Sequence, residues 1–137
     1  MSAAAAEITV VLADDHNVIR AGLRAMLEAE PDLRVIGEAG DAAAAAKLVE
    51  DRRPNVLVLD LQMPGAEPRA DILRLRETAP DTAIVVLTMQ SDPRMARDLM
   101  RAGAAGFVLK QAAERNLGEA IRAAAGGGSY IYPRLGG

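Results

Sequence analysis

Five short apolar runs set the outline of this chain: Ile8–Ala13 (ITVVLA), Leu33–Ala39 (LRVIGEA), Val56–Leu59 (VLVL), Ala83–Thr88 (AIVVLT) and Gly106–Leu109 (GFVL). They are rich in Val and Ile and bounded by Gly, Pro or Asp, which favours strands over pieces of buried helix. Between them, apolar residues fall at helical spacing. Ile19, Leu23, Met26 and Leu27 make one stripe, Ala42, Ala45, Ala46 and Val49 a second, and Leu117, Ala120, Ile121 and Ala124 a third. Ile72, Leu75 and Ala79 repeat the pattern less regularly, as do Met95, Leu99, Ala102 and Gly103. Met26, Met95 and Met100 read as core filler.

Strand–helix alternation five times over implies an α/β fold: a doubly wound, five-stranded parallel sheet with helices on both faces. Strands covered on both faces read as continuous apolar runs. The first, third and fourth runs do so. The second carries Arg34 and Glu38, which suits an edge, and the fifth is short. The order is therefore 2-1-3-4-5, the flavodoxin-like arrangement, which places a ligand at the carboxyl ends of strands one and three, where the winding reverses.

Composition narrows the chemistry. The chain has 137 residues, one domain by length, with no Cys and a single His. Thiolate chemistry and multi-histidine metal sites are excluded. Phe107 is the only phenylalanine and Trp is absent, which excludes a base-stacking surface of several aromatics. The net charge of −3 argues against attraction to nucleic-acid phosphates or anionic membranes. No apolar run approaches the roughly 20 residues of a membrane span, and MSAAAAE lacks the pattern of a signal peptide. A cytoplasmic location follows as the expectation. Residues 1–7 read as a disordered lead.

Four strands deliver a polar residue to one edge of the sheet. Strand one ends in Asp14-Asp15, strand three in Asp60, strand four in Thr88, and strand five in Lys110, one of only two lysines. Two carboxylates ~4 Å apart repel by about 4 kcal/mol at an effective dielectric of about 20, so three in one pocket call for a cation. Hard carboxylate oxygens suit Mg²⁺, or Mn²⁺. A metal, an ammonium, a hydroxyl donor and a carboxylate nucleophile are the parts of a phosphoryl-transfer site, with Asp60 the best nucleophile. Taken singly, each has a blander reading. Asp14 or Asp15 alone is as readily an N-cap, Asp60 a turn residue, Lys110 a snorkelling charge, and His16 a solvent-facing first-turn residue. Their joint placement favours the site.

VLADDH (Val11–His16), VLVLDLQMPG (Val56–Gly65), VVLT (Val85–Thr88) and AGAAGFVLK (Ala102–Lys110), in this order and spacing, resemble the receiver domains of two-component response regulators. The resemblance runs from about Ile8 to Ala125 and implies a receiver domain over 8–126. It implies that Asp60 accepts a phosphoryl group from a sensor histidine kinase. By the same resemblance Asp14, Asp15, Asp60 and the backbone carbonyl of Gln62 hold Mg²⁺. Thr88 and Lys110 contact the phosphoryl oxygens, Thr88 and Phe107 report the switch, and Gln62 and Gln90 occupy the positions that tune phosphoryl lifetime. DHNVIRAGL and AIRAAAGGGSYIYP look like regulators with a LuxR-type helix-turn-helix output. Residues 127–137 then begin a linker to an output domain that is not in this chain, through which DNA is bound. Homodimerisation on phosphorylation is implied, and no membrane partner.

Departures from the family pattern lie at Ala66-Glu67-Pro68-Arg69-Ala70, where an Asp-Gly pair is usual, and at Gln111, where proline or aspartate is common. Pro68 suits a helical first turn. Three rivals stand beside this reading. A receiver that acts without phosphorylation is one, although such proteins usually lack a site residue. A phosphatase passing through an aspartyl-phosphate is another, but it wants a second Asp where Gln62 stands. A flavodoxin-like cofactor binder ranks last, for want of a GxGxxG after the first strand. The expectation is a protein that is not an enzyme beyond catalysing its own phosphoryl transfer and dephosphorylation.

Overall fold

The computed structural model describes residues 7–90 and 92–132. Six parallel strands form one sheet in the order β2-β1-β3-β4-β5-β6. They are β1 (Ile8–Ala13), β2 (Leu33–Ala39), β3 (Val56–Asp60), β4 (Ala83–Thr88), β5 (Gly106–Leu109) and β6 (Tyr130–Tyr132). The helices are α1 (Asn17–Glu28), α2 (Ala42–Arg52), α3 (Pro68–Thr78), α4 (Pro93–Ala102) and α5 (Ala113–Ala125), and one 3₁₀ turn covers Lys110–Ala112.

Side chains of successive strand residues go to opposite faces of the sheet, and each face carries its own helices. Val11, Leu57, Ile84, Val86 and Phe107 pack with Val49 of α2, Ile72 and Leu75 of α3, and Ala96 and Leu99 of α4. Val10, Leu12, Val58, Val85 and Val108 pack with Leu23 and Leu27 of α1 and Leu117, Ala120 and Ile121 of α5. Strands β3 and β4 are apolar on consecutive residues because both faces are covered. The α4 helix ends at Gly103, whose φ is +123°. A Cβ there would lie 2.6 Å from Arg76 Cγ, so the tight stop at this point needs glycine.

The core of the sheet has the expected 2-1-3-4-5 order, with one correction. β5 is not an edge, because Tyr130–Tyr132 pairs alongside it in parallel, with Phe107 opposite Ile131. Gly126–Gly128 lets the chain turn back after α5, and Tyr-Ile-Tyr is strand-forming in its own right. The expected linker over 127–137 thus begins with a sixth strand; residues 133–137 lie outside the described residues, as does the lead over 1–7 except for Glu7. Two stripe residues also differ from expectation. Ile19 is 41 % exposed and Met95 40 %, so neither is core filler; both lie in the first turn of their helices, beyond the span that the sheet covers.

The strand β2 is an edge, as Arg34 and Glu38 suggest. A bulge between Val10 and Val11 leaves Ile36 without a partner on β1, and the Ile36 carbonyl accepts from Arg52 instead. Just before β2, Asp32 is gripped by Arg122 of α5 through Nε at 2.8 Å and Nη2 at 2.9 Å, and Glu30 is held by the same Nη2 at 2.7 Å. The Arg122 hydrogen bond holds the Asp32 carboxyl below its ordinary range despite some burial, and the guanidinium is held above its own. An Asp with a depressed pKa stabilises the fold above its unfolded value, and that contribution is lost as pH falls through the folded value. Carboxyl NMR titration should therefore show Asp32 titrating low in the native protein. In Arg122→Met its midpoint should return upward, with the difference in acid stability confined to the range below the ordinary carboxylate pKa.

Candidate functional site

The carboxyl ends of β1, β3, β4 and β5 meet at one edge of the sheet. Asp14 follows β1, Asp60 closes β3 and Thr88 closes β4, while Lys110 opens the 3₁₀ turn directly after β5. Asp14 and Asp60 are fully buried, and Thr88 is buried beside them in sequence register, Asp60 lying opposite Leu87 and Thr88 opposite Leu109. The topology delivers these groups together because all the strands run the same way and stop at the same level.

Lys110 is the counter-charge. Its Nζ donates to Asp60 Oδ2 at 2.9 Å and lies 3.3 Å from Asp14 Oδ2, with its side chain 6 % exposed. Burial works against the ammonium. The hydrogen bond and field of Asp60, joined by the field of Asp14, outweigh it and hold its pKa above the ordinary lysine value. Asp60 Oδ1 accepts from the Gln62 amide at 2.9 Å, and Asp14 Oδ1 from the His16 amide at 2.8 Å. These two Asx turns fix both carboxylates to their loops.

Two carboxyl groups, those of Asp60 and Asp14, share this one ammonium. Asp14 Oδ2 is within ion-pair distance of Lys110 but is not aligned for a hydrogen bond, and Asp15 Oδ1 has no hydrogen bond either, although both atoms are buried. Ligand atoms of Asp14, Asp15, His16 and Asp60 lie within 4.8 Å of one another. Buried, unsatisfied carboxylate oxygens clustered in this way fit a hard divalent cation. His16 sits at the N-cap of α1 with its side chain 55 % exposed. It faces solvent as expected, and its Nδ1, 3.0 Å from Asp15 Oδ1, also borders the cluster.

The other expected positions divide into two sets. Gln62 and Gln90 are exposed at the rim. The Thr88 hydroxyl engages the Gln90 backbone, accepting from its amide at 3.3 Å and donating to its carbonyl at 3.4 Å, both long for such bonds. Phe107 is 2 % exposed and packs inward among the α3 and α4 residues. Among the departures, Pro68 starts α3, and Arg69 turns to Asp98 of α4, 3.7 Å away. Sequence reasoning gave no role to Arg20, yet its guanidinium reaches the Asp14 carbonyl. The signal lay in DHNVIRAGL, where Arg20 stands one helical turn into α1, four residues beyond His16.

A parallel doubly wound sheet with an acidic pocket and a buried ammonium at its topological switch point marks a flavodoxin-like α/β protein with its site at the strand carboxyl ends. Residues 10–122 match the family model of the response regulator receiver domain, and the chain belongs to that family. It is 33 % identical over 132 residues to the transcriptional regulatory protein DegU of Brevibacillus brevis, covering 94 % of this chain and 55 % of that protein. It is 36 % identical over 127 residues to the oxygen regulatory protein NreC of Staphylococcus carnosus, covering 92 % and 58 %. The crystal structure of a LuxR-family two-component response regulator from Aurantimonas sp. SI85-9A1 superposes with a TM-score of 0.87 at 30 % identity, over 93 % of this chain and 91 % of that one. The chain thus spans a little over half the length of these curated relatives, and it is a receiver domain of the LuxR type. No helix among the described residues is long and apolar enough to cross a membrane.

Replacing Lys110 by Met keeps the shape of the side chain and removes the charge, leaving Oδ2 of Asp60 and of Asp14 buried without a counter-charge. Urea unfolding in metal-free buffer should show a loss of about 1–3 kcal/mol. An unchanged midpoint would mean that the ammonium does not balance the pocket.

Proposed function

We propose that this domain is a phosphorylation switch in which Asp60 takes a phosphoryl group from a phosphohistidine of a sensor kinase. The observation that carries the reading is the Asp60 carboxylate, wholly buried at the end of β3 and held on one oxygen by Lys110 and on the other by the Gln62 amide. A nucleophile fixed on both sides loses little freedom on reaction. One Asp60 oxygen attacks phosphorus in line, a P–O bond forms, the P–N bond to the kinase imidazole breaks, and the imidazole leaves with its electron pair.

Asp14, Asp15 and Asp60, with the backbone carbonyl of Gln62, are the groups that would hold Mg²⁺ or Mn²⁺. The bound ion would offset their negative charge and that of the phosphoryl oxygens. Lys110 is already placed to follow those oxygens. Thr88 is held by two long hydrogen bonds to Gln90, so it can be drawn toward a new acceptor at small cost. Movement at β4 and β5 reaches Phe107 and the face of α4 against which it packs. Gln62 and Gln90, at the rim, are placed to set the access of water and hence the phosphoryl lifetime.

The output side follows from the family. A LuxR-type helix-turn-helix output domain would bind DNA and control transcription, and phosphorylation favours a homodimer. The switch acts in the cytoplasm by shifting a population between two conformations, which requires only a few kcal/mol of differential binding. The domain turns over no external substrate; it transfers and loses its own phosphoryl group.

Incubation with Mg²⁺ and a small-molecule phosphodonor, followed by intact mass spectrometry, should give one phosphoryl adduct in the native protein and none in Asp60→Asn. An adduct that persists in Asp60→Asn would remove the assignment, and steady hydrolysis of added phosphate esters would favour the phosphatase reading.

A further inference from the structure

The loop that carries Asp14 and Asp15 leaves the sheet where its hydrogen-bond ladder runs out. The last ladder bond runs from the Asp14 amide to the Ala39 carbonyl at 3.0 Å. Beyond it β2 ends and the chain turns at Gly40, so the Asp14 carbonyl has no strand opposite. Arg20 Nη1 takes that carbonyl at 2.6 Å and also reaches the Ala39 carbonyl at 3.4 Å. The guanidinium itself is pinned at two further points: Nε donates to Glu38 Oε1 at 3.1 Å and Nη2 to Asn17 Oδ1 at 3.0 Å. Its side chain is 19 % exposed. Gly40 leaves room for it, since a Cβ there would lie 3.2 Å from Nη1. Arg24 holds the other oxygen of Glu38.

We propose that Arg20 is a positioning residue for the cation site, a clamp that fixes the Asp14–Asp15 backbone before any ion binds. Asp14 Oδ2 and Asp15 Oδ1 are, among the described residues, the two buried side-chain oxygens without hydrogen-bond partners. Apart from the Lys110 ion pair, the His16 contacts tie both carboxylates only to their own loop, so the direction of these oxygens follows the backbone of that loop, and Arg20 holds that backbone. The planar fork of arginine serves β1, β2 and the first turn of α1 at once, which an ammonium cannot do. Partners of this kind, which orient ligating groups without touching the ion, typically govern metal affinity by 10- to 100-fold. The inference rests on the metal-assisted reading given above.

The test measures Mg²⁺ binding calorimetrically and amide hydrogen exchange without metal, on the whole chain. Arg20→Met and the milder Arg20→Lys should each bind Mg²⁺ about tenfold or more weakly, and amides at Asp15, His16 and Asn17 should exchange faster while those of β3 and β4 do not. Arg24→Ala, which removes a cation from Glu38 without touching Asp14, should keep the native affinity. Native binding in Arg20→Met overturns the clamp and leaves the cation site standing. Native binding in Arg20→Lys alone also overturns it, since charge without the fork would then suffice. Failure of the unaltered protein to bind Mg²⁺ overturns the underlying reading instead.

Discussion

The pairing of Lys110 with Asp60 and Asp14 is the constraint around which the rest of this molecule is arranged. Buried carboxylates side by side are costly, and the one ammonium reaches only Asp60 and Asp14, leaving Asp15 without it. The pocket is therefore held together by scaffolding: β1, β3 and β5 bring the charges within reach, and Asx turns lock two carboxylates to their loops. The residual imbalance suits a hard divalent cation, which is the basis of the proposed phosphoryl transfer.

The two helical layers make such a pocket tolerable. Because residues of β1, β3 and β4 alternate between two apolar layers, each strand is anchored on both sides and its end is a fixed point. A polar residue placed one position beyond the apolar run then has a defined location. The same alternation puts Phe107 on the α3 and α4 face and Val108 on the α1 and α5 face, so a shift of β5 is felt on both. With β6 paired beside β5, Tyr130–Tyr132 lies against the strand that precedes Lys110.

Much of this was legible in the residues. Five strands follow from Val- and Ile-rich runs, and the strand ends locate Asp14, Asp60, Thr88 and Lys110. What escaped depends on tertiary context. Tyr130–Tyr132 reads as linker after three glycines, and only the open edge of β5 makes it a strand. Ile19 and Met95 obey the helical period, but the sheet does not extend under the first turns of their helices. The partner of Arg69 on α4 and those of Arg20 on β2 lie far away in sequence, so only the Arg20 contacts with Asp14 and Asn17 fall within DHNVIRAGL. Thr88 stands where expected, while the direction of its hydroxyl is set by the backbone at Gln90.

The central claim is that one carboxylate, Asp60, carries the phosphoryl group. Borohydride reduction of the freshly phosphorylated chain converts an aspartyl-phosphate to homoserine, and peptide mass spectrometry then locates it. The account predicts homoserine at position 60 alone. Homoserine at position 14 or 15, or phosphorylated chain that yields none, would contradict it.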